Sequence, residues 1–120
     1  MKLLVCGGRT FRDQAYLDAT LDALHAQTPV TLLIEGGALG ADTLAHAWAR
    51  KRGVACKTVP AYWGEHGRAA GAMRNERMLA LGPDLVIAFP GGSGTAHMVR
   101  IARAAGVEVR EVAPSEPSNT

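Results

Sequence analysis

The sequence predicts a single three-layer α/β domain in which a five-stranded parallel sheet carries helices on both faces. Short apolar runs alternate along the 120 residues with segments in which apolar residues recur every three or four positions, a pattern typical of buried strands alternating with amphipathic helices. Three of the apolar runs end in glycine-rich turns. Right-handed crossovers limit the strand orders that such a chain can adopt, and 3-2-1-4-5 fits best.

The predicted strands cover residues 2–7, 31–35, 55–59, 84–89 and 107–112. Helices are predicted over about 13–27, over 69–81, after the turn at 90–95, and over a segment that carries Leu44, Ala45, Trp48 and Ala49. Residues 60–68 form a long connection that we expect to be irregular. Residues 113–120 contain two prolines, two serines and no large apolar residue, so we expect a disordered tail after a domain that covers 1–112.

The composition argues against several classes of protein. The chain has a formal net charge of +2 and is 48% hydrophobic, but no apolar run approaches the roughly 20 residues that a membrane span needs. Without the long apolar segment of a signal peptide at its start, we expect a cytoplasmic protein with no membrane partner. Lysine and arginine do not cluster as in a dedicated nucleic-acid binder, so nucleic acid ranks last among the expected partners.

The glycine turn Pro90-Gly91-Gly92-Ser93-Gly94-Thr95 stands between a predicted strand and a predicted helix. Glycines let backbone approach a ligand closely, and the amides of the helix's first turn favour an anion. We therefore predict that residues 90–95 bind phosphate, with the hydroxyls of Ser93 and Thr95 as additional donors. The alternative is an ordinary helix start that is capped by Thr95.

Two further glycine turns follow the first and second strands. In the predicted strand order the first turn, with Gly8 and Arg9, faces residues 90–95 across the crevice where ligands bind in such sheets. The second turn contains Gly36 and Gly37 between two carboxylates, and we expect Glu35 and Asp42 to accept hydrogen bonds from ribose hydroxyls. Asp42 also suits the N-cap of the next helix.

The segment after the third strand offers aromatic and polar candidates. Tyr62 and Trp63 could stack on a base as part of a lid, or simply pack on the domain. Arg74 and Asn75, on the third predicted helix, could contact phosphate or ribose. A surface role suits Glu76 and Arg77 better.

Motifs for other chemistries are absent from the sequence. It has no G-x-G-x-x-G after the first strand, no Walker motif and no nucleophile elbow. The four histidines, His25, His46, His66 and His97, lack metal-ligand spacing, so we predict no metal and no cofactor. Cys6 and Cys56 form no CxxC pair and are expected to be reduced core residues, with a nucleophilic Cys6 as the alternative.

The motifs together resemble the YspA-like branch of the SLOG superfamily, over nearly the whole chain. The resemblance rests on Glu35-Gly36-Gly37, Gly40-Ala41-Asp42, Trp63, Ala70-Gly71, Arg74-Asn75 and Ala88–Thr95. SLOG proteins are similar to Rossmann folds, and they include the Lonely Guy phosphoribohydrolases and the DprA proteins that bind single-stranded DNA. The resemblance implies a nucleotide-like ligand and a homodimer.

The Lonely Guy pattern P-G-G-x-G-T-x-x-E ends in a catalytic glutamate, and Met98 occupies that position here. Arg74 matches the family's arginine on the preceding helix. If the chain hydrolyses an N-glycosidic bond, topology makes Glu35 the best-placed substitute carboxylate, ahead of Asp42 and Glu76. A nucleotide sensor without turnover and DprA-like DNA binding are the alternatives.

Overall fold

Five short strands build the sheet. In the computed structural model, which describes residues 1–114, they are β1 (Lys2–Cys6), β2 (Leu32–Glu35), β3 (Ala55–Thr58), β4 (Leu85–Ala88) and β5 (Glu108–Glu111). All neighbouring pairs are parallel, in the order β3-β2-β1-β4-β5. The predicted parallel sheet and its order are confirmed, with each strand one or two residues shorter than expected.

The helices are α1 (Gln14–Gln27), α2 (Ala41–Arg52), α3 (Trp63–His66), α4 (Ala70–Ala80) and α5 (Ser93–Ala104). The prediction that residues 60–68 are irregular is wrong, because α3 and a 3₁₀ turn over Gly67–Ala69 occupy most of that segment. The amides of Glu65 and His66 donate to Tyr62 O at 3.1 and 3.0 Å. A single helical turn is too short to produce a 3.6-residue periodicity in the sequence.

The helices cover both faces of the sheet and bury two separate clusters. On one face α1 and α2 pack leucines, alanines and Trp48 against Leu3, Val5 and Leu33. On the other face α4 and α5 contribute Met78 and Met98, with α5 adding small residues, against strand residues that alternate with the first set. This alternation is the two-residue period of a strand that is buried on both sides, and it confirms the three-layer architecture.

The register of the central strands places their carboxyl ends side by side. Cys6 of β1 pairs with Ala88 of β4, and the amide of Phe89 donates to Cys6 O at 2.9 Å. Beyond them, the amide of Gly8 donates to Pro90 O, also at 2.9 Å. The loops after β1 and β4 therefore leave the sheet together at one edge, as parallel pairing requires.

The end of the described chain is attached to the domain. Val112 donates its amide to Ala88 O at 2.8 Å, and the Tyr16 hydroxyl donates to Ala113 O at 2.7 Å. The predicted tail thus begins with a residue held against α1, and its residues 115–120 lie outside the described part. None of the helices within residues 1–114 has both the length and the apolar character needed to cross a membrane.

Gly40 provides a test of how tightly the loops at this edge are packed. Its φ is +82°, and a Cβ there would overlap Gly8 O and the backbone of Arg9. Gly53 also has a positive φ, +67°, but a Cβ there meets nothing within 4 Å. Gly53→Ala should cost about 1 kcal/mol of unfolding free energy from backbone strain alone, because Gly53 lies in the left-handed helical region. Gly40→Ala should cost at least about 2 kcal/mol more, both from overpacking and because its φ of +82° and ψ of −129° lie outside that region. Urea unfolding of both variants measures the difference, and equal losses would contradict the packing described here.

Candidate functional site

Three glycine loops meet at Gly8: the β1 loop (residues 7–13), the β2 loop (36–40) and the β4 loop (89–92). Gly8 donates its amide to Pro90 O in the β4 loop, and its carbonyl accepts from Ala41 N at 3.2 Å, at the start of α2. A Cβ on Gly8 would lie 2.9 Å from Pro90 O and 3.0 Å from Gly91 Cα. Only backbone fits between these loops, so Gly8 fixes their relative positions.

A cavity of about 600 Å³ opens beside this junction. Its walls come from the β1 loop, from the starts of α2 and α5, and from α3 and α4. The predicted ligand residues that line it are Gly8, Arg9, Asp42, Trp63, Arg74, Asn75, Gly92, Ser93, Gly94 and Thr95. A second cavity of about 310 Å³ shares Arg9, Trp63 and Arg74 with it and includes Gly36 and Gly37. The structure thus brings most of the predicted site residues together.

The larger cavity has an excess of positive charge. Arg9, Arg68 and Arg74 line it, against the single carboxylate of Asp42. Arginine guanidinium groups are suited to bidentate contact with phosphate. The lining therefore favours an anionic ligand. Arg68 was not singled out from the sequence, because a lone arginine in a loop carries no distinguishing pattern.

Arg74 is held by backbone and amide groups. Its Nη1 donates to Gly36 O at 2.8 Å, and its Nε donates to Asn75 Oδ1 at 3.2 Å. A Cβ on Gly36 would lie 2.5 Å from Nη1, so the glycine makes room for the guanidinium. Gly36 therefore has a structural reason to lack a side chain, and Arg74 has a defined position between the two cavities.

The start of α5 presents unpaired backbone amides next to the cavity. Its N-cap is Gly92, which has no side chain to accept hydrogen bonds from the first helical turn. Thr95 is the third residue of the helix, so the alternative that Thr95 caps it is wrong. A Cβ at Gly92 or Gly94 would meet no atom from another part of the chain within 4 Å, whereas a Cβ at Gly91 would overlap the Thr95 hydroxyl. Close packing therefore explains why position 91 lacks a side chain, but it does not explain the glycines at positions 92 and 94.

Asn75 connects α4 to the start of α5. Its side chain is almost fully buried, and its Nδ2 donates to Gly94 O at 3.1 Å while lying 3.1 Å from His97 Nδ1. Asn75 thus holds the first turn of α5 in place. His97 also lines the cavity, and its position one helical turn after Ser93 is a signal that sequence reasoning missed.

The two aromatic residues of the predicted lid have different positions. Trp63 lines both cavities, its ring faces Gly71, and the Arg9 guanidinium carbon lies 5.7 Å from the ring centroid. Tyr62 lines neither cavity, and its ring carries the Arg77 guanidinium at 4.7 Å. Trp63 is therefore the aromatic residue available to a ligand.

Asp42 is a buried carboxylate at the cavity wall. It is the second residue of α2, whose N-cap is Gly40, so the prediction that Asp42 is the N-cap is wrong. Its Oδ2 instead accepts from Ala38 N at 3.2 Å, within the β2 loop. Burial raises the pKa of Asp42 from 3.8 to about 6, and the hydrogen bond from the Ala38 amide and the charge of Arg74 partly oppose that rise.

Glu35 lines neither cavity. Glu35 as a whole residue is 1% exposed, and its carboxylate accepts from the Gly37 amide at 2.5 Å and from the Thr58 hydroxyl. Its Oε2 also lies near His46 and Cys56, the three residues forming a cluster with metal-binding donor types. Met98, a residue of α5, is fully buried in the core between that helix and the sheet. Of the two cavities' lining residues, all within 1–114, only Asp42 carries a carboxylate.

Cys6 lines the larger cavity but is not activated for nucleophilic attack. Burial raises the pKa of its thiol from 9.0 to about 12, and the charge of Asp42 acts in the same direction. The thiolate is the nucleophilic form of cysteine. The environment of Cys6 therefore favours a small core residue, as expected from the sequence.

The raised pKa of Asp42 predicts a pH-dependent stability. The folded state binds the carboxyl proton more tightly than the unfolded state, so this contribution is full below about pH 4 and is lost as the pH rises through about 6. A shift of about two pKa units corresponds to about 3 kcal/mol. Asp42→Asn should therefore gain stability relative to the parent protein between pH 4 and 7, measured by urea unfolding across that range. Glu76→Gln, which removes an exposed carboxylate from α4, is the control, and parallel pH profiles for Asp42→Asn and the parent would contradict the burial of a charged Asp42.

Comparison with known proteins shows that the chain is similar to a protein family and to a phage protein. The model of the YspA, cpYpsA-related SLOG family matches residues 1–66. The Gene 61 protein of Mycobacterium phage D29 is 38% identical over 116 residues, which cover 90% of this chain and 93% of that protein. No solved structure matches the chain significantly. Because the family model spans more than half of the chain, and the phage relative aligns along most of it, the chain belongs to the YspA, cpYpsA-related SLOG family.

Proposed function

We propose that this domain binds a nucleotide or a nucleotide-derived ligand, with a phosphate group against the first turn of α5. The observation that carries the proposal is the pair of glycines at that turn. A Cβ at Gly92 or Gly94 would meet no atom from another part of the chain within 4 Å, and neither residue has a positive φ. A ligand that approaches the backbone closely explains why both positions lack a side chain.

The surrounding charges support a phosphate group. Arg9 and Arg74 stand at the junction of the two cavities, and the amides of Ser93, Gly94 and Thr95 begin α5. The helix dipole adds a partial positive charge at this end. These donors come from three different loops and helices, so a bound phosphate would be held from several sides.

The remaining features of the cavities support a nucleoside next to the phosphate. Trp63 is about half exposed, so its indole ring can stack with a base, and Asp42 and Asn75 offer acceptors for ribose hydroxyls. Membership of a SLOG family also favours a nucleotide-related ligand. We infer that the base lies toward Trp63 and the ribose toward Asp42.

Hydrolysis of an N-glycosidic bond is the second candidate function. Asp42 favours it, because a carboxyl group with a pKa near 6 in a cavity can exchange a proton at physiological pH. The buried contacts of Glu35 make it a weaker candidate than topology suggested, and Arg74 remains the candidate for stabilising a phosphate during cleavage. A sensor that binds without turnover has the same binding residues but no cleavage step.

DNA binding in the DprA manner and self-association stay predictions. The three cavity arginines are spread around one pocket rather than along a stripe, which suits a small anion better than a polynucleotide backbone. Several large apolar side chains are exposed, namely Leu39, Tyr62, Trp63 and Met73.

Substitution of Gly94 should separate binding from stability. Saturation-transfer NMR with nucleoside monophosphates, NAD and ADP-ribose identifies a ligand, and calorimetry then gives its affinity for each variant. An aspartate at Gly94 should weaken binding at least about tenfold by repelling phosphate, yet raise helix stability by about 0.3–1 kcal/mol as an acidic residue in the first turn. Ala15→Asp adds the same charge at the second residue of α1, away from both cavities, and should leave affinity unchanged. Unaltered affinity in Gly94→Asp would refute phosphate binding at α5.

The same NMR samples, followed over hours, test for cleavage. Free-base signals that appear with the parent protein and fall at least about tenfold in Asp42→Asn, but not in Glu35→Gln, would make Asp42 the catalytic carboxylate. Loss in Glu35→Gln alone, with affinity retained, would restore Glu35 to that role. Saturation transfer without any free-base signal would show that the protein binds those ligands and does not cleave them.

A further inference from the structure

Three side chains with different metal-binding groups converge on the face of the sheet that α2 covers. Glu35 is the last residue of β2, His46 lies in the middle of α2 and Cys56 belongs to β3. His46 Nδ1 lies 3.3 Å from Glu35 Oε2 and 3.5 Å from Cys56 Sγ, and Cys56 Sγ lies 3.7 Å from Glu35 Oε2. The three donor atoms form a nearly equilateral triangle.

The size of this triangle matches one face of a tetrahedral metal site. With Zn–N and Zn–O bonds of about 2.0–2.1 Å and a Zn–S bond of about 2.3 Å, tetrahedral angles give an N···O edge of about 3.3 Å and S···N and S···O edges of about 3.6 Å. The three observed distances differ from these edges by no more than about 0.1 Å. We propose that Glu35, His46 and Cys56 bind a divalent transition metal, with Zn²⁺ as the preferred ion.

The donor set selects the class of metal. Thiolate and imidazole together favour a borderline or soft ion over Mg²⁺ or Ca²⁺, which prefer oxygen ligands. Three protein ligands leave one tetrahedral position for water or another small ligand. The metal site therefore resembles open sites rather than closed structural sites with four protein ligands.

Neighbouring groups orient the carboxylate, as outer-shell partners do in metal sites. The Thr58 hydroxyl donates to Glu35 Oε2, and the Gly37 amide donates to Oε1. Such partners fix the direction of a ligand, and their loss typically weakens metal binding. These two hydrogen bonds therefore hold the Glu35 carboxylate with Oε2 toward the other two donors.

A metal ion can reach the cluster from solvent. The side chain of His46 is 45% exposed, whereas that of Glu35 is 2% exposed, so the site is open on the histidine side and closed at the carboxylate. None of the three residues lines either cavity. The metal site is separate from the proposed nucleotide site, and its test does not depend on a nucleotide.

Cobalt absorption tests the metal site directly. The 120-residue chain, treated with a chelator, is titrated with Co²⁺, which takes the place of Zn²⁺ and reports its ligands. We expect one Co²⁺ to bind per chain. The bound ion should give a near-ultraviolet band from thiolate-to-cobalt charge transfer and strong visible bands of a four-coordinate ion. Added Zn²⁺ should displace Co²⁺ and remove these bands. Parent protein that stays folded but gives no thiolate band would overturn the proposal.

Single substitutions identify which side chains bind the metal ion. Cys56→Ser should abolish the charge-transfer band, and His46→Ala should weaken Co²⁺ binding at least about tenfold. Cys6→Ala, which removes the other cysteine, should keep the band, and His66→Ala should keep the affinity. A band that survives in Cys56→Ser, or full affinity in His46→Ala, would refute the assignment.

Circular dichroism is the control that tests whether each variant is folded. If Cys56→Ser fails to fold, His46→Ala decides the question, because its half-exposed side chain on α2 can be removed without opening the core. Thermal unfolding gives a second readout: Zn²⁺ should raise the melting temperature of the parent protein but not that of His46→Ala. Equal rises in both proteins would count against the site.

Discussion

The close approach of three backbone loops at Gly8 is the constraint on which the candidate site depends. Gly8 bonds to the β4 loop through its amide and to the start of α2 through its carbonyl. Side chains at Gly8, Gly40 or Gly91 would each overlap a neighbouring loop. Because interiors pack without spare volume, these contacts set where the N-termini of α2 and α5 stand, and hence the shape of the cavity between them.

The fold could be predicted from the sequence because its signals are long and repeated. β1 and β4 are almost wholly apolar, as expected for strands that are buried on both faces, and glycine turns separate them from the helices that follow. The short helix α3 escaped prediction because one turn gives no periodicity. Tertiary contacts decide such a segment, and here Trp63 against Gly71 is one of them.

The candidate site could be predicted only in part. Parallel strands bring their carboxyl ends to one edge, which is why the glycine loops were expected to meet. The direction in which a single side chain points was harder to predict. Glu35 shares a face of the sheet with Leu33, two residues earlier on β2, so it points toward α2 and away from the cavity. The cluster of Glu35, His46 and Cys56 could not be predicted from spacing, since its successive members are 11 and 10 positions apart in the sequence, outside any short metal-binding motif.

Arg74 is held in place by uncharged groups. Both of its hydrogen-bonding partners, the Gly36 carbonyl and the Asn75 amide oxygen, are uncharged, and no carboxylate within residues 1–114 forms an ion pair with it. The guanidinium is therefore oriented by uncharged groups and not by an ion pair, so little reorganisation accompanies the arrival of an anion. Small anions such as phosphate or sulfate from a buffer would then compete for this position, and the apparent affinity of any anionic ligand would depend on the buffer in which it is measured.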